Sequence, residues 1–267
     1  MGTTASLTFC LLGRLEVRAG RTPVRIGGRH AQALLALLAL RPRLRLRDTI
    51  AAELWPDADG PSAGALRQAL WLVRSSFAAT GLAADDWLEA DQDSLGLRRD
   101  IRVGLDTERF EELVLRGEMD DPEHAIGLYA GDLLEGLGHE CFAAERERLS
   151  DLYEDLLARV AERRLERGDV AGARLAASEL LARDPLREEA HAILIAVYGR
   201  SGSRSQVVRQ YRRLCSILRV ELAVAPLPET DAAYRAALAR ATVRSMERVA
   251  ELGYDRPSFA PVLVSSA

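Results

Sequence analysis

The residues best suited to chemistry lie within residues 61–77, where polar and aromatic side chains recur at helical spacing. One face of the predicted helix carries Gly64, Arg67, Gln68, Trp71, Arg74 and Ser75. The opposite face is apolar and carries Leu66, Ala69, Leu70, Val73 and Phe77. Two guanidinium groups and an amide match phosphate groups and base edges. The stretch therefore predicts either a nucleic-acid-binding helix or an ordinary amphipathic helix with a solvated basic face.

The sequence contains no catalytic or metal-binding motif. It has no G-x-S-x-G element, no phosphate-binding P-loop, no dinucleotide fingerprint and no zinc-protease helix. Four histidines are scattered without metal-ligand spacing, which indicates surface or packing roles: His30, His124, His139 and His191. We therefore predict that the chain is not an enzyme and needs neither a cofactor nor a metal ion.

Charge is distributed unevenly along the 267 residues, whose formal net charge is −4. All 36 basic residues are arginine, since the chain has no lysine. Residues 1–84 contain 11 Arg and 5 acidic residues, and residues 85–110 contain 4 Arg and 8 acidic residues. The remainder contains 21 Arg and 27 acidic residues. A basic N-terminal part followed by an acidic remainder predicts a polyanion-binding module joined to a second module with another role.

The three cysteines and the hydropathy pattern predict a cytoplasmic protein. Cys10, Cys141 and Cys215 are isolated in apolar surroundings, which indicates buried, reduced thiols rather than disulfides or a metal site. The N-terminus lacks a charged region before its apolar run, and no apolar stretch reaches membrane-spanning length. We expect no membrane partner.

The first part of the chain predicts a small antiparallel sheet, three helices and a hairpin. Strand-like runs occupy residues 7–12, 15–18 and 24–26, and helical patterns occupy residues 29–40, 48–55 and 61–77. Asp48 is the predicted N-cap of the second helix. Residues 87–90 and 95–98 flank a polar tip at residues 91–94 and predict the hairpin. This order is that of a winged helix-turn-helix, in which the third helix enters the major groove of DNA.

The second part predicts helix after helix. Helical patterns occupy residues 106–116, 122–129, 141–167 and 231–251. Between the last two patterns a 34-residue period appears, since Gly168-Asp169 is followed 34 positions later by Gly202-Ser203. That period is the length of a tetratricopeptide repeat. The predicted packing residues of the repeat are Ala173, Ala177, Leu180, Pro185, Leu194, Tyr198, Val207, Tyr211 and Leu214. Stacked helix pairs of this kind offer a concave face to a partner, whereas residues 253–267 predict a frayed tail.

The two parts together resemble the Streptomyces antibiotic regulatory protein (SARP) family of activators. The motifs that carry the resemblance are LLGRLEVRAG, ELWPDA, ALRQALWLVR, LDTERFEEL, GLYAGDLLEGL, ARDPLREEAHAILIAVYGRSG and QVVRQYRRLCSIL. The resemblance implies a mainly α fold. Residues 1–105 would form an OmpR-like winged-helix DNA-binding domain, and residues 106–241 a tetratricopeptide-like bacterial transcriptional activation domain. Residues 242–267 would then be a helix end and flexible tail.

The resemblance also implies a function. Members bind direct repeats in promoters as a side-by-side pair and recruit RNA polymerase, which would make this chain an activator of a biosynthetic gene cluster, such as one for an antibiotic. The DNA-binding residues expected here are Arg67, Gln68, Trp71, Arg74, Ser75, Arg98 and Arg99. Arg41, Arg43, Arg45 and Arg47 form either a phosphate-facing loop or a solvated row. Trp71 contacts either DNA or the hairpin.

Two departures from the family pattern favour an alternative function. Members commonly carry further arginines after the ALW element, where this chain has Leu72 and Ser75. The hairpin tip, residues 91–94, contains Asp91 and Asp93, which would repel phosphates. The alternative is a helical-repeat interaction module whose winged helix binds DNA weakly or no longer binds it.

Overall fold

The strands of the first part form two small sheets in a computed structural model, which describes residues 6–56, 63–115 and 122–251. One sheet contains strands β1 (Ser6–Cys10), β2 (Glu16–Ala19), β3 (Thr22–Val24) and β7 (Arg102–Leu105), in the order β3-β2-β1-β7. The other contains β4 (Arg45–Leu46), β5 (Leu88–Ala90) and β6 (Ser94–Leu97), in the order β4-β6-β5. The predicted N-terminal sheet and the hairpin are thereby confirmed.

The N-terminal sheet differs from the prediction in one strand. Strands β1, β2 and β3 are antiparallel as predicted, but β7 pairs in parallel with β1, with Leu7 opposite Val103. Burial alternates along β1, where Leu7 and Phe9 face the core and Cys10 lies on the other face. That alternation explains why Cys10 is only half-buried, contrary to the prediction of a buried thiol; Cys141 and Cys215 are likewise half-buried free thiols.

Five helices of the first part follow the predicted pattern closely. They are α1 (Arg29–Leu40), α2 (Arg47–Leu54), α3 (Ala63–Ala78), α4 (Asp106–Leu115) and α5 (Pro122–Leu128). The bounds of α1 are those predicted, and its alanine and leucine side chains are almost all buried. The predicted N-cap at Asp48 is wrong, because α2 begins one residue earlier and Leu46 occupies the cap position. The predicted starts and ends at Pro61, Ser62 and Arg116 lie outside the described residues.

Asp106, the first residue of α4, fixes the start of that helix against β1. Its carboxylate accepts hydrogen bonds from the backbone N–H groups of Leu11 and Leu12, at 2.8 and 3.0 Å. Burial raises the pKa of this carboxyl group, and the two backbone donors oppose that rise. The chain divides into two compact units, Met1–Leu156 and Leu157–Ala267, and Asp106 belongs to the first. The domain boundary at residues 105–106 stays a prediction.

The remaining helices are α6 (Ala143–Glu166), α7 (Val170–Arg183), α8 (Glu188–Arg200), α9 (Arg204–Glu221) and α10 (Pro228–Glu251). Gly168 and Gly202 both have positive φ, 82° and 73°, and each lies in the turn before a helix. Glycine adopts this conformation without a steric penalty. The two glycines that define the predicted 34-residue period therefore lie in equivalent turns. Of the described helices, none is long and apolar enough to span a membrane. The predicted tail, residues 253–267, lies outside the described residues.

The second unit is held together by the predicted packing residues and by close helix contacts. Ala173, Ala177, Leu180, Leu194, Val207 and Leu214 are buried. A Cβ added to Gly199 of α8 would lie 2.8 Å from the Cβ of Ala237 in α10, so this crossing requires glycine. The rings of Tyr211 and Tyr234 stack at 4.0 Å. Pro185 is exposed, contrary to its predicted packing role, and contributes its carbonyl oxygen instead.

His191 lies buried in the second unit with both ring nitrogens engaged. Its Nδ1 is 2.9 Å from the amide nitrogen of Gln210, and its Nε2 is 3.1 Å from the carbonyl oxygen of Pro185. Since the amide donates to Nδ1, the proton of the neutral ring is on Nε2. Burial lowers the pKa of His191; the positive charge of Arg213 acts in the same direction, while the Pro185 carbonyl and Glu188 oppose it.

The stability of the second unit should therefore fall in mild acid. Because the folded-state pKa of His191 is depressed, its contribution is complete above the unfolded value of about 6.5 and is lost as the pH falls below it. We expect the melting temperature to decrease by a few degrees between about pH 7 and about pH 5. The variant His191→Gln should flatten this dependence, whereas His124→Gln, at an exposed position of α5, should retain it. An equal pH dependence in all three proteins would contradict the assignment.

Candidate nucleic-acid interface

Helix α3 presents the two faces that the sequence predicts. Leu66, Ala69, Leu70, Val73 and Phe77 are all buried. On the other side Arg67, Gln68 and Ser75 are exposed. The packing of α3 against α1 holds this second face toward solvent. The structure thus brings Arg67, Gln68 and Ser75 together on the exposed face of α3, whose opposite face is buried.

Trp71 projects from the same face with 65% of its surface exposed. At this exposure the ring of Trp71 is not packed in the interior, and the indole that packs beside the hairpin is that of Trp87. Trp87 is fully buried, and its ring stacks on Phe77 with the ring centroids 4.2 Å apart. An exposed indole offers a large flat apolar surface together with one N–H donor. Trp71 is therefore available to contact a ligand.

Arg74 differs from its neighbours because it is half-buried. Its Nε atom is inaccessible to solvent and has no hydrogen-bond partner within the described part of the chain. A buried donor left unpaired costs about 1–3 kcal/mol. The unpaired Nε of Arg74 therefore lowers the stability of the free protein.

Replacing Arg74 should increase the stability of the protein and weaken binding at the exposed face of α3. In Arg74→Met the unpaired donor is removed while most of the apolar volume remains, so we expect the free energy of unfolding to rise by about 1 kcal/mol. Urea denaturation measures this change. The matched control is Arg67→Met, at an exposed position of the same helix, which should leave stability unchanged within about 0.5 kcal/mol. A loss of stability in Arg74→Met would show that its guanidinium group is satisfied in the free protein.

The hairpin tip lies beside the N-terminal end of α3. Asp91 Oδ1 accepts hydrogen bonds from the N–H groups of Asp93 and Ser94, at 2.8 and 2.6 Å, which closes the tip. Arg47 anchors the tip to α2: its backbone N–H donates to the carbonyl of Asp93, and its Nε donates to that of Asp91. A cavity of about 360 Å³ is lined by Arg47, Arg67 and Asp93, among other residues. The acidic tip and Arg67 thus share one surface.

Arg98 and Arg99 lie at the other end of the hairpin. The guanidinium group of Arg98 forms two hydrogen bonds to Asp100, at 2.9 and 2.8 Å, and a third to the carbonyl of Asp85 at 3.3 Å. This pairing lowers the pKa of Asp100, so both groups are charged and neutralise each other. Arg99 is exposed and lines a separate cavity of about 660 Å³ with Arg43. The structure does not bring these two arginines to the α3 surface.

The arginine row before α2 divides into two roles. Arg41 and Arg45 both pair with Glu53 of α2, so two guanidinium groups share one carboxylate. Arg43 is exposed. The anchoring role of Arg47 does not follow from the sequence, because its partners are backbone carbonyls 44 residues or more away. The alternation of arginine with leucine in this row is a signal of extended structure, and Arg45–Leu46 is indeed strand β4.

Comparisons with known proteins identify the family. The model of the bacterial transcriptional activator domain matches residues 105–238. A solved structure, Mycobacterium tuberculosis EmbR in complex with a low-affinity phosphopeptide, matches with a TM-score of 0.64 and 22% identity over 93% of this chain and 71% of that chain. This likeness establishes the fold alone. A comparison with curated proteins gives no match. Because the family match spans half of the chain, the chain belongs to the bacterial transcriptional activator domain family and is a regulator of the SARP type.

Proposed function

We propose that this transcriptional activator binds promoter DNA sequence-specifically, through a winged helix-turn-helix in which α3 enters the major groove. The observation that carries the proposal is the exposed face of α3, where Arg67, Gln68, Trp71 and Ser75 are held outward by a fully buried opposite face. An α-helix fits the major groove, where arginine pairs with guanine and glutamine with adenine. The DNA-binding assignment of these residues, and of Arg74, rests on this geometry.

The second half supplies contacts to other proteins in this proposal. Helices α7 to α10 and their 34-residue spacing support a tetratricopeptide-like activation domain, a class that presents surfaces to partners. The resemblance to SARP activators supports promoter direct repeats as the target, two chains side by side on them, and recruitment of RNA polymerase. It also supports a biosynthetic gene cluster, as for an antibiotic, as the regulated unit, and the cytoplasm as the site of action.

A second candidate function is favoured by the charges around α3. Asp91 and Asp93 are exposed at the hairpin tip, and Arg98 is already neutralised by Asp100. Each arginine that is unable to reach a phosphate group reduces the affinity for DNA at moderate salt. In this alternative the first unit has become a protein-binding module and the chain acts through its helical repeats alone.

Binding of the purified chain to the upstream DNA of its own gene cluster distinguishes the two functions. Fluorescence anisotropy with a labelled promoter duplex and a scrambled duplex, at about 50 and 200 mM salt, gives the affinity and the specificity ratio. The activator should bind the promoter duplex at least about 1,000-fold more tightly than the scrambled one. Equal affinity for both duplexes would remove the proposed function and favour the interaction module.

A further inference from the structure

Helix α9 carries a surface that the activator proposal leaves unused. Its solvent-facing side consists of arginine and serine residues only between residues 205 and 219, and we name this the basic stripe: Ser205, Arg209, Arg212, Arg213, Ser216 and Arg219. The buried side consists of Val207, Gln210, Leu214 and Leu218. At a rise of 1.5 Å per residue the stripe is about 21 Å long. The helix contains one acidic residue, Glu221, at its last position.

The four arginines of the basic stripe are not neutralised. Arg209, Arg212, Arg213 and Arg219 form no ion pair and no side-chain hydrogen bond with any residue that the structure describes. Elsewhere in the same chain arginines are paired, as Arg148 is with Glu111 and Glu145. This concentration of positive charge contrasts with residues 111–267 as a whole, which contain more acidic than basic residues. Four like charges on one helix face repel each other, which costs free energy unless an anion binds there.

The chemistry of the basic stripe indicates the class of anion. The buried centre of a protein interface is usually apolar and often contains aromatic side chains. Between residues 204 and 219 no large apolar side chain is exposed in the described structure; exposed ones begin at Val220. Guanidinium and hydroxyl groups, in contrast, are the groups that contact phosphate oxygens. A linear row of them fits a linear polyanion.

We propose that the basic stripe of α9 is a second DNA-binding surface, which contacts the phosphodiester backbone without regard to sequence. The inference deepens the proposed function and rests on it. It also explains how the chain binds DNA although the first unit has an acidic hairpin tip and its Arg98 is paired with Asp100. Sequence would be selected at α3, and a large part of the salt-dependent affinity would come from α9.

The test compares two triple variants of the full chain by fluorescence anisotropy on the promoter and scrambled duplexes, from about 50 to about 200 mM salt. The first variant is Arg209→Gln/Arg212→Gln/Arg213→Gln. The matched control, Arg21→Gln/Arg174→Gln/Arg240→Gln, removes the same charge from exposed positions on other elements. Circular dichroism checks that both variants are folded, since none of the six side chains is buried.

We expect the slope of log K against log salt to become less steep by about two to three in the stripe variant, because each phosphate contact contributes about 0.9. Its affinity should fall by at least about tenfold, equally for both duplexes, while the control changes the slope by less than about one. An unchanged slope in the stripe variant would overturn the proposal. So would unchanged DNA binding together with reduced transcription by purified RNA polymerase, which would make the stripe a protein contact.

The results that would contradict the proposed function differ from those that would contradict the basic stripe. If the wild-type chain binds both duplexes equally at about 50 mM salt and the stripe variant loses that binding, the basic stripe is a DNA site without the specificity of α3. If α3 variants lose only the preference for the promoter while the salt slope is unchanged, the two surfaces act separately, which supports the proposal. Absence of binding to either duplex would overturn both.

Discussion

Trp87→Ala should destabilise the first unit by about 3–5 kcal/mol, the largest stability effect we expect of any single substitution. The fully buried indole lies at the start of β5 and stacks on Phe77, near the end of α3. Its carbonyl also accepts the N–H of Arg98, which closes the base of the hairpin. Removing the ring leaves a cavity between the hairpin and the helix that presents Arg67, so stability and the geometry of the α3 surface should be lost together.

Hydrogen–deuterium exchange in the full chain measures this effect locally. Amides in α3 and in β5 and β6 should exchange faster in Trp87→Ala, while those in α8 and α9 of the second unit should keep their rates. Trp87→Phe is the matched control. It retains a ring against Phe77 and removes an indole N–H that has no hydrogen-bond partner in the described structure, so we expect a loss below about 1.5 kcal/mol. A change below about 1 kcal/mol in Trp87→Ala would show that the hairpin is anchored by other contacts.

Local features of this protein could be predicted from the sequence because hydrophobic periodicity determines them. The bounds of α1 and the buried side of α3 follow directly from the spacing of alanine and leucine. The hairpin follows from two apolar runs around the polar tip at residues 91–94. In each case the decisive residues are neighbours along the chain, so a short window of sequence contains all the information.

Features that depend on distant residues could not be predicted in the same way. The parallel pairing of β7 with β1 joins residues about a hundred positions apart, and four residues reading R-V-G-L carry no signal for their partner strand. The same holds for Asp106, whose acceptor role toward Leu11 and Leu12 appears only once the sheet has formed. In the candidate site, the sequence predicts a free Arg98 because it cannot show that Asp100 and the Asp85 carbonyl surround the guanidinium group.

The consequence for DNA binding is that few cations remain for recognition. With Arg98 paired and the hairpin tip acidic, Arg67 and Arg74 are the cations of α3; Arg67 is exposed and Arg74 is half-buried. Specific affinity should then depend on these two residues far more than in a helix with many arginines. Gln68, between them in sequence, adds an amide that suits adenine.

The double variant Arg67→Ala/Arg74→Ala should therefore lose specific DNA binding. One good bidentate contact to a base is worth about 1–3 kcal/mol, so we expect the Kd for the promoter duplex to rise at least about 100-fold. The Kd for a scrambled duplex should rise by no more than about tenfold, because phosphate contacts elsewhere remain. Anisotropy titrations of both duplexes at one salt concentration measure the two changes.

The matched control for this variant is Arg14→Ala/Arg25→Ala, which removes two exposed arginines from the first unit at positions outside α3. It loses the same net charge, so any general weakening of attraction to DNA is common to both proteins. The specificity ratio should collapse only in the α3 variant, and circular dichroism checks that both variants are folded. Equal losses on promoter and scrambled DNA would instead assign Arg67 and Arg74 to the phosphate backbone and leave the origin of specificity with Gln68, Trp71 and Ser75.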